Sequence, residues 1–141
     1  MKNVFLDTNV VIDFLADRYP FSLAAAEIFN ASVNSKIKLY ISAVSYNNIY
    51  YVLRRSLSHN RTVKLLDELN EMTEVADVTN AIIKKSLRSG FNDFEDAIQY
   101  YCALDLDVID FIVTRNNKDF KKSTLPIVSP EEAIAIINNE E

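Results

Sequence analysis

Val4-Phe5-Leu6-Asp7-Thr8-Asn9-Val10-Val11-Ile12-Asp13 decides the fold. A short apolar run ends in Asp7-Thr8-Asn9, and an apolar helical pattern follows at once. A brief hydrophobic stretch bounded by polar residues reads as a buried strand, so residues 3–7 are predicted as a strand and residues 9–15 as a helix. Downstream, Asn92-Asp93-Phe94-Glu95-Asp96 opens a second helical pattern, and Phe111-Ile112-Val113 runs into Thr114-Arg115-Asn116-Asn117-Lys118-Asp119. Two strands ending in polar, acid-bearing turns, with a helix headed by acids, would gather carboxylates at one edge of a sheet. Ligands of open α/β sheets bind beyond the carboxyl ends of the strands, and hard divalent cations prefer oxygen ligands. This pattern points to a metal-dependent phosphodiester hydrolase.

Further strands are predicted at residues 39–41, 74–78, 110–114 and 127–128. Helices are predicted from Pro20, over residues 43–57 with Ser42 as cap, and over 61–71, 80–89 and 93–105. A last helix begins with Pro130 at its first position and Ser129 as cap. Strands alternating with helices imply βαβ units and a mostly parallel sheet. The single glycine, Gly90, and three prolines leave no long flexible linker, so residues 1–141 read as a single domain.

Composition narrows the function classes. The 49% hydrophobic and 25% charged content belong to a globular chain. A lone cysteine, Cys102, permits neither an internal disulfide nor a cysteine zinc cluster, which suits a reducing compartment. Met1-Lys2 leads to no signal-peptide core, and nothing approaches the roughly 18 apolar residues of a membrane span. A cytoplasmic protein with no membrane partner is expected. The net charge of −5 is unlike that of a generic nucleic-acid binder, which carries a basic face. Nucleic acid would have to bind through a local basic patch and through cations held by the acids.

Phe5-Leu6-Asp7-Thr8-Asn9-Val10-Val11-Ile12-Asp13, Asp93-Phe94-Glu95-Asp96-Ala97 and Ile112-Val113-Thr114-Arg115-Asn116-Asn117-Lys118-Asp119-Phe120 together resemble a PIN domain. The closing Leu125-Pro126-Ile127-Val128-Ser129-Pro130-Glu131-Glu132 is similar to the end of one PIN subgroup. The resemblance implies an α/β fold, a three-layer α/β/α sandwich with a short, mostly parallel central sheet. It implies a Mg²⁺- or Mn²⁺-dependent ribonuclease, in some members the VapC-type toxin of a toxin–antitoxin pair. RNA, a small antitoxin protein and a second copy of the chain are then the expected partners.

Carried over by position, Asp7, Asp96 and Asp93 match the catalytic, metal-holding acids. Asp119 lies where a further metal-holding acid is drawn. Thr8, Asn9 and Thr114 support the first acid, and Arg115 is a candidate phosphate contact, its fork suiting bidentate binding. The chain departs from the commonest pattern at Asn48, where a glutamate is usual, and at Asn116, where an aspartate often follows Thr-Arg. An amide brings an oxygen to a metal but no charge.

Each acid also has a structural reading. Asp7 before an apolar helix is a natural cap, and acids in the first turn of a helix are favoured by its dipole. Only the joint pattern raises them to a site. Two other functions fit parts of the sequence: a degenerate PIN module that binds RNA or protein without cutting, and a phosphatase-like hydrolase with Asp7 as nucleophile. The second normally needs another aspartate two residues on, where this chain has Asn9.

Overall fold

The computed structural model describes residues 1–120 and 123–139, apart from the side chain of Asp119. In chain order the described elements are β1 (Lys2–Leu6), α1 (Thr8–Leu15), α2 (Phe21–Val33), β2 (Ile37–Ser42), α3 (Ala43–Leu53), α4 (His59–Met72) and β3 (Glu74–Ala76). They continue with α5 (Asn80–Leu87), α6 (Phe94–Leu106), β4 (Phe111–Val113), a 3₁₀ turn (Asn117–Phe120), β5 (Ile127–Val128) and α7 (Pro130–Asn138). All four strand pairings are parallel, in the order β3-β2-β1-β4-β5. This is the α/β architecture expected from the sequence.

Parallel strands covered on both faces read as continuous apolar runs, and β1 shows why. Val4 and Leu6 belong to one core, with Leu39, Ile41, Phe111 and Val113 from the neighbouring strands and residues of α1, α2, α3, α4 and α7. Phe5 belongs to the other, with Tyr40, Ile112 and residues of α5 and α6. Successive side chains point to opposite faces, so helices pack on both sides of the sheet. Cys102 is buried in the second core, and burial pushes its thiol up to about 11, the state of an inert, structural thiol.

Polar residues stop each element where its apolar pattern fails. Ser42 ends β2 and caps α3 by accepting from Val44 N. Ser58 and Thr79 cap α4 and α5 through their side chains. Ser129 and Glu132 form a reciprocal capping box at the start of α7, with Pro130 in the first turn. Several boundaries differ from the sequence reading: β2 begins at Ile37 and α4 at His59, β3 ends at Ala76 and α5 at Leu87, and those of α3 and α6 differ as well. Helix α3 ends at Leu53, not at residue 57: the backbone passes into three-residue turns, Arg55 N to the Val52 carbonyl and Ser56 N to the Leu53 carbonyl (both 3.2 Å), and the Arg54 side chain donates forward to the Leu57 carbonyl (2.8 Å). Asp93 stands outside α6 as its cap, with Oδ1 accepting from Asp96 N at 2.9 Å.

From β1 the chain builds outward through β2 to β3, then returns to place β4 on the other flank of β1. That reversal opens a crevice at the carboxyl ends of β1 and β4, where open α/β sheets hold ligands. The Asp7 N–H donates to the Val113 carbonyl at 3.0 Å, and Thr114 N donates to the Val128 carbonyl at 3.0 Å. Both strand ends are thereby fixed. Among the described residues no helix is long and apolar enough to cross a membrane.

Candidate active site

A recess of about 240 Å³ opens at this edge, lined by Asp7, Thr8, Asn9, Asn48, Asp93, Glu95, Asp96 and Asn116, with Ile12 and Val52. Seven of the residues singled out in the sequence therefore meet in one place. The Asp119 side chain lies outside the described residues. Thr114 sits beneath the recess and Arg115 turns away from it.

Asp7 is the innermost acid, 4% exposed at the end of the central strand. Burial pushes its carboxyl above the ordinary value, and the charge of Glu95 pushes the same way. The Thr114 hydroxyl donates to Oδ2 at 2.6 Å. That bond, the nearby Gln99 amide and the Thr8 N–H pull the pKa back only in part. Because Thr114 Oγ1 spends its proton on Asp7, it acts as acceptor toward Asn116 N at 3.0 Å. Thr114→Val is expected to raise the Asp7 pKa further and to cost about 1.5–3 kcal/mol at neutral pH. The cost should shrink in acid, where the carboxyl is neutral. Urea unfolding at pH 7 and pH 4 would check this; equal losses at both would show that the hydroxyl does not serve the carboxylate.

Thr8 organises the neighbouring wall. Its hydroxyl donates to Glu95 Oε1 at 2.9 Å, so its contact with Ser45 Oγ at 2.7 Å must be accepted from the serine. Its N–H donates to Gln99 Oε1 at 3.2 Å. Glu95 and Gln99 stand four residues apart on α6 and so share one face; both reach Thr8. Asn48 Nδ2 also donates to Glu95 Oε1, at 2.6 Å. Asn48 thus presents its nitrogen, not its oxygen, to this part of the recess. Gln99 is 1% exposed, and its Nε2 faces Asp7 outside hydrogen-bonding geometry, a buried donor without a partner among the described residues.

Glu95, Gln99 and Ser45 were not singled out in the sequence. The only signal for Glu95 was its place between Asp93 and Asp96; for Gln99 it was an amide one turn further along an otherwise apolar face. Arg115 is engaged elsewhere. Its Nε and Nη2 donate to Asp13 at 2.7 and 3.2 Å, and its guanidinium stacks 3.9 Å from the Phe21 ring centroid.

The carboxylates of the recess offer oxygen donors, the kind a hard divalent cation prefers. Among the described residues, no three Asp, Glu, His or Cys side chains converge so as to hold an ion directly. Mg²⁺ retains several of its own waters and is commonly held by one or two carboxylates. A buried carboxylate raised in pKa beside a second one fits such an ion, which would offset the charge.

The PIN domain family model matches residues 3–118. Comparison with curated proteins returned no match. Solved structures share the fold. VapBC-1 from nontypeable Haemophilus influenzae is 19% identical, with 92% of this chain and 98% of that one covered and a TM-score of 0.67. A toxin–antitoxin complex from Klebsiella pneumoniae is 22% identical over 90% of this chain and 97% of that one, with a TM-score of 0.63. Mycobacterium tuberculosis VapC20, a toxin that cleaves the sarcin–ricin loop, is 14% identical over 77% and 86%, with a TM-score of 0.61. With the family model spanning both strand ends and the acid-headed helix that enclose the recess, this chain belongs to the PIN domain family.

Proposed function

We propose that this chain is a divalent-metal-dependent endoribonuclease that hydrolyses RNA phosphodiester bonds with water, without a covalent intermediate. The observation that carries the reading is Asp7, a buried strand-end carboxylate that shares one recess with Asp93, Glu95 and Asp96. Bound Mg²⁺ or Mn²⁺ would lower the pKa of the attacking water and offset the charge gained by the phosphoryl oxygens.

The protein's part is to hold and orient. Asp7 and Asp96 are the acids that hold the ion. Thr114 fixes the Asp7 carboxylate through its hydroxyl. Asp93 ties down the first turn of α6 by capping it, which sets the direction of Asp96. Asn9 and Asn116 supply neutral polar groups at the rim of the recess. Arg115, committed to Asp13, brings positive charge next to Asn116.

RNA is the proposed substrate class because VapC20, which shares the fold, is described as cleaving an RNA loop. A small antitoxin is the proposed protein partner, by likeness to the toxin–antitoxin complex. An apolar groove between α1 and α4, floored by Phe14, Leu15, Leu65 and Met72 and rimmed by Glu68 and Glu71, suits an amphipathic segment with basic flanks. The cytoplasm is the proposed location. A second reading, a non-cutting RNA- or protein-binding module, is favoured by one observation: Asn48 and Asn116 bring no charge to the recess.

Cleavage of labelled single-stranded RNA with Mg²⁺, Mn²⁺ or EDTA, by wild type and Asp96→Asn, separates the two. Metal-dependent cutting is expected, reduced at least about a hundredfold in the variant. Binding of RNA by folded wild type with no cutting in either metal would favour the non-cutting module.

A further inference from the structure

We propose that Glu95 is a metal-holding carboxylate of this site, and that Asn48 is a positioning residue which acts on Glu95 and does not itself bind the ion. This rests on the metal-dependent reading above. Glu95 is half-buried and takes two hydrogen bonds on one oxygen, from Asn48 Nδ2 at 2.6 Å and from Thr8 Oγ1 at 2.9 Å. Both donors are neutral, so they orient the carboxylate without cancelling its charge. Since both converge on Oε1, neither uses the lone pairs of Oε2.

The proton on Thr8 is itself directed. Ser45, fully buried, donates to the Thr8 oxygen, and the Thr8 proton is thereby committed to Glu95. Thr8 from α1 and Ser45 and Asn48 from α3, three residues on two helices, thus fix one carboxylate of α6 in the recess that Asp7 also lines. A cation held between the two carboxylates would offset the charge of both.

A second observation points to a ligand at the same spot. Gln99, one turn beyond Glu95 on the same helix face, is 1% exposed, and its Nε2 faces Asp7 with no partner among the described residues. A buried N–H without an acceptor is costly. An oxygen carried into the recess by a hydrated cation supplies the acceptor.

The test is Mn²⁺ binding, read by calorimetry and by the EPR spectrum of bound Mn²⁺, on the folded full chain. Glu95→Gln keeps shape and removes charge; it should weaken the Kd roughly tenfold to a hundredfold. Asn48→Ala, which frees Glu95 but removes no charge, should weaken it by a smaller factor, about threefold to tenfold. Asn48→Glu added to Glu95→Gln returns a carboxylate to the same wall and should recover part of the loss. If Asp7→Asn abolishes binding while Glu95→Gln matches wild type, this inference fails and the metal-dependent reading survives. If wild type itself binds no Mn²⁺, both fail.

Discussion

Asp7→Asn is expected to lower metal-dependent RNA cleavage by at least about a hundredfold to a thousandfold and, in the metal-free protein at neutral pH, to raise stability. The two effects have one cause. Asp7 is buried at the end of the central strand, and its carboxyl is pushed above its ordinary value chiefly by that burial. A carboxyl whose pKa is raised in the folded state favours folding when protonated and opposes it when charged. Wild type therefore loses stability relative to Asp7→Asn as pH rises through the unfolded value of about 3.9, and the difference levels off above the folded pKa. Below about pH 4 the two proteins should melt together. The amide can still accept from Thr114 through its oxygen. Thermal melts in EDTA from pH 3.5 to 8, beside cleavage assays in Mn²⁺, would read both effects. A variant less stable than wild type at pH 7 would refute the claim that the carboxylate is held at an energetic cost.

Asp13→Ala should destabilise the fold from outside the recess. Asp13 is 1% exposed. It accepts from Arg115 Nε and Nη2 and from Arg18 Nε at 2.8 Å, joining α1 to the segment after β4 and to the turn before α2. Charge-assisted bonds to a buried partner are strong, but both arginines are partly exposed, at 30% and 39% of their side chains, so water can receive them once released. A loss of about 2–3 kcal/mol follows, smaller than for a fully buried pair. Urea unfolding measures it as a lower midpoint at unchanged slope. A change under about 0.5 kcal/mol would reduce the cluster to surface decoration. RNA cleavage should fall too, because Asn116 follows Arg115 directly at the edge of the recess.

What was legible in the sequence was what short-range pattern encodes. Phe5-Leu6 before Asp7 and Ile112-Val113 before Thr114 read as buried strands, since a strand covered on both faces is apolar throughout. Asp7, Asp93 and Asp96 could be named because each follows or opens an element. The order β3-β2-β1-β4-β5 could not, because nothing local says that β4 returns to the far flank of β1. Glu95 and Gln99 were hidden for a related reason: the face that α6 presents to Thr8 depends on its rotation against the sheet. Asn48 lines the recess, but its partner lies 47 residues away, and only the fold reveals that it donates. Arg115 carried a sequence signal for phosphate, yet its partner in the structure is a carboxylate 102 residues upstream.

The bond from Thr114 to Asp7 spans 107 residues and has a consequence for synthesis of the chain on the ribosome. Domains form as the polypeptide emerges, N-terminal part first. A nascent chain that has delivered β1 through α5 owns Asp7, Thr8 and Asn48, but not Glu95, Asp96 or the strand that pins Asp7 from its other side. The recess cannot exist in that fragment. Under the proposed function, an RNA-cutting activity would thus be withheld from the messenger and ribosome that produce it until β4 and Thr114 have been made. The late arrival of β4 beside the first strand acts as a timer, and it does so with no separate inhibitor.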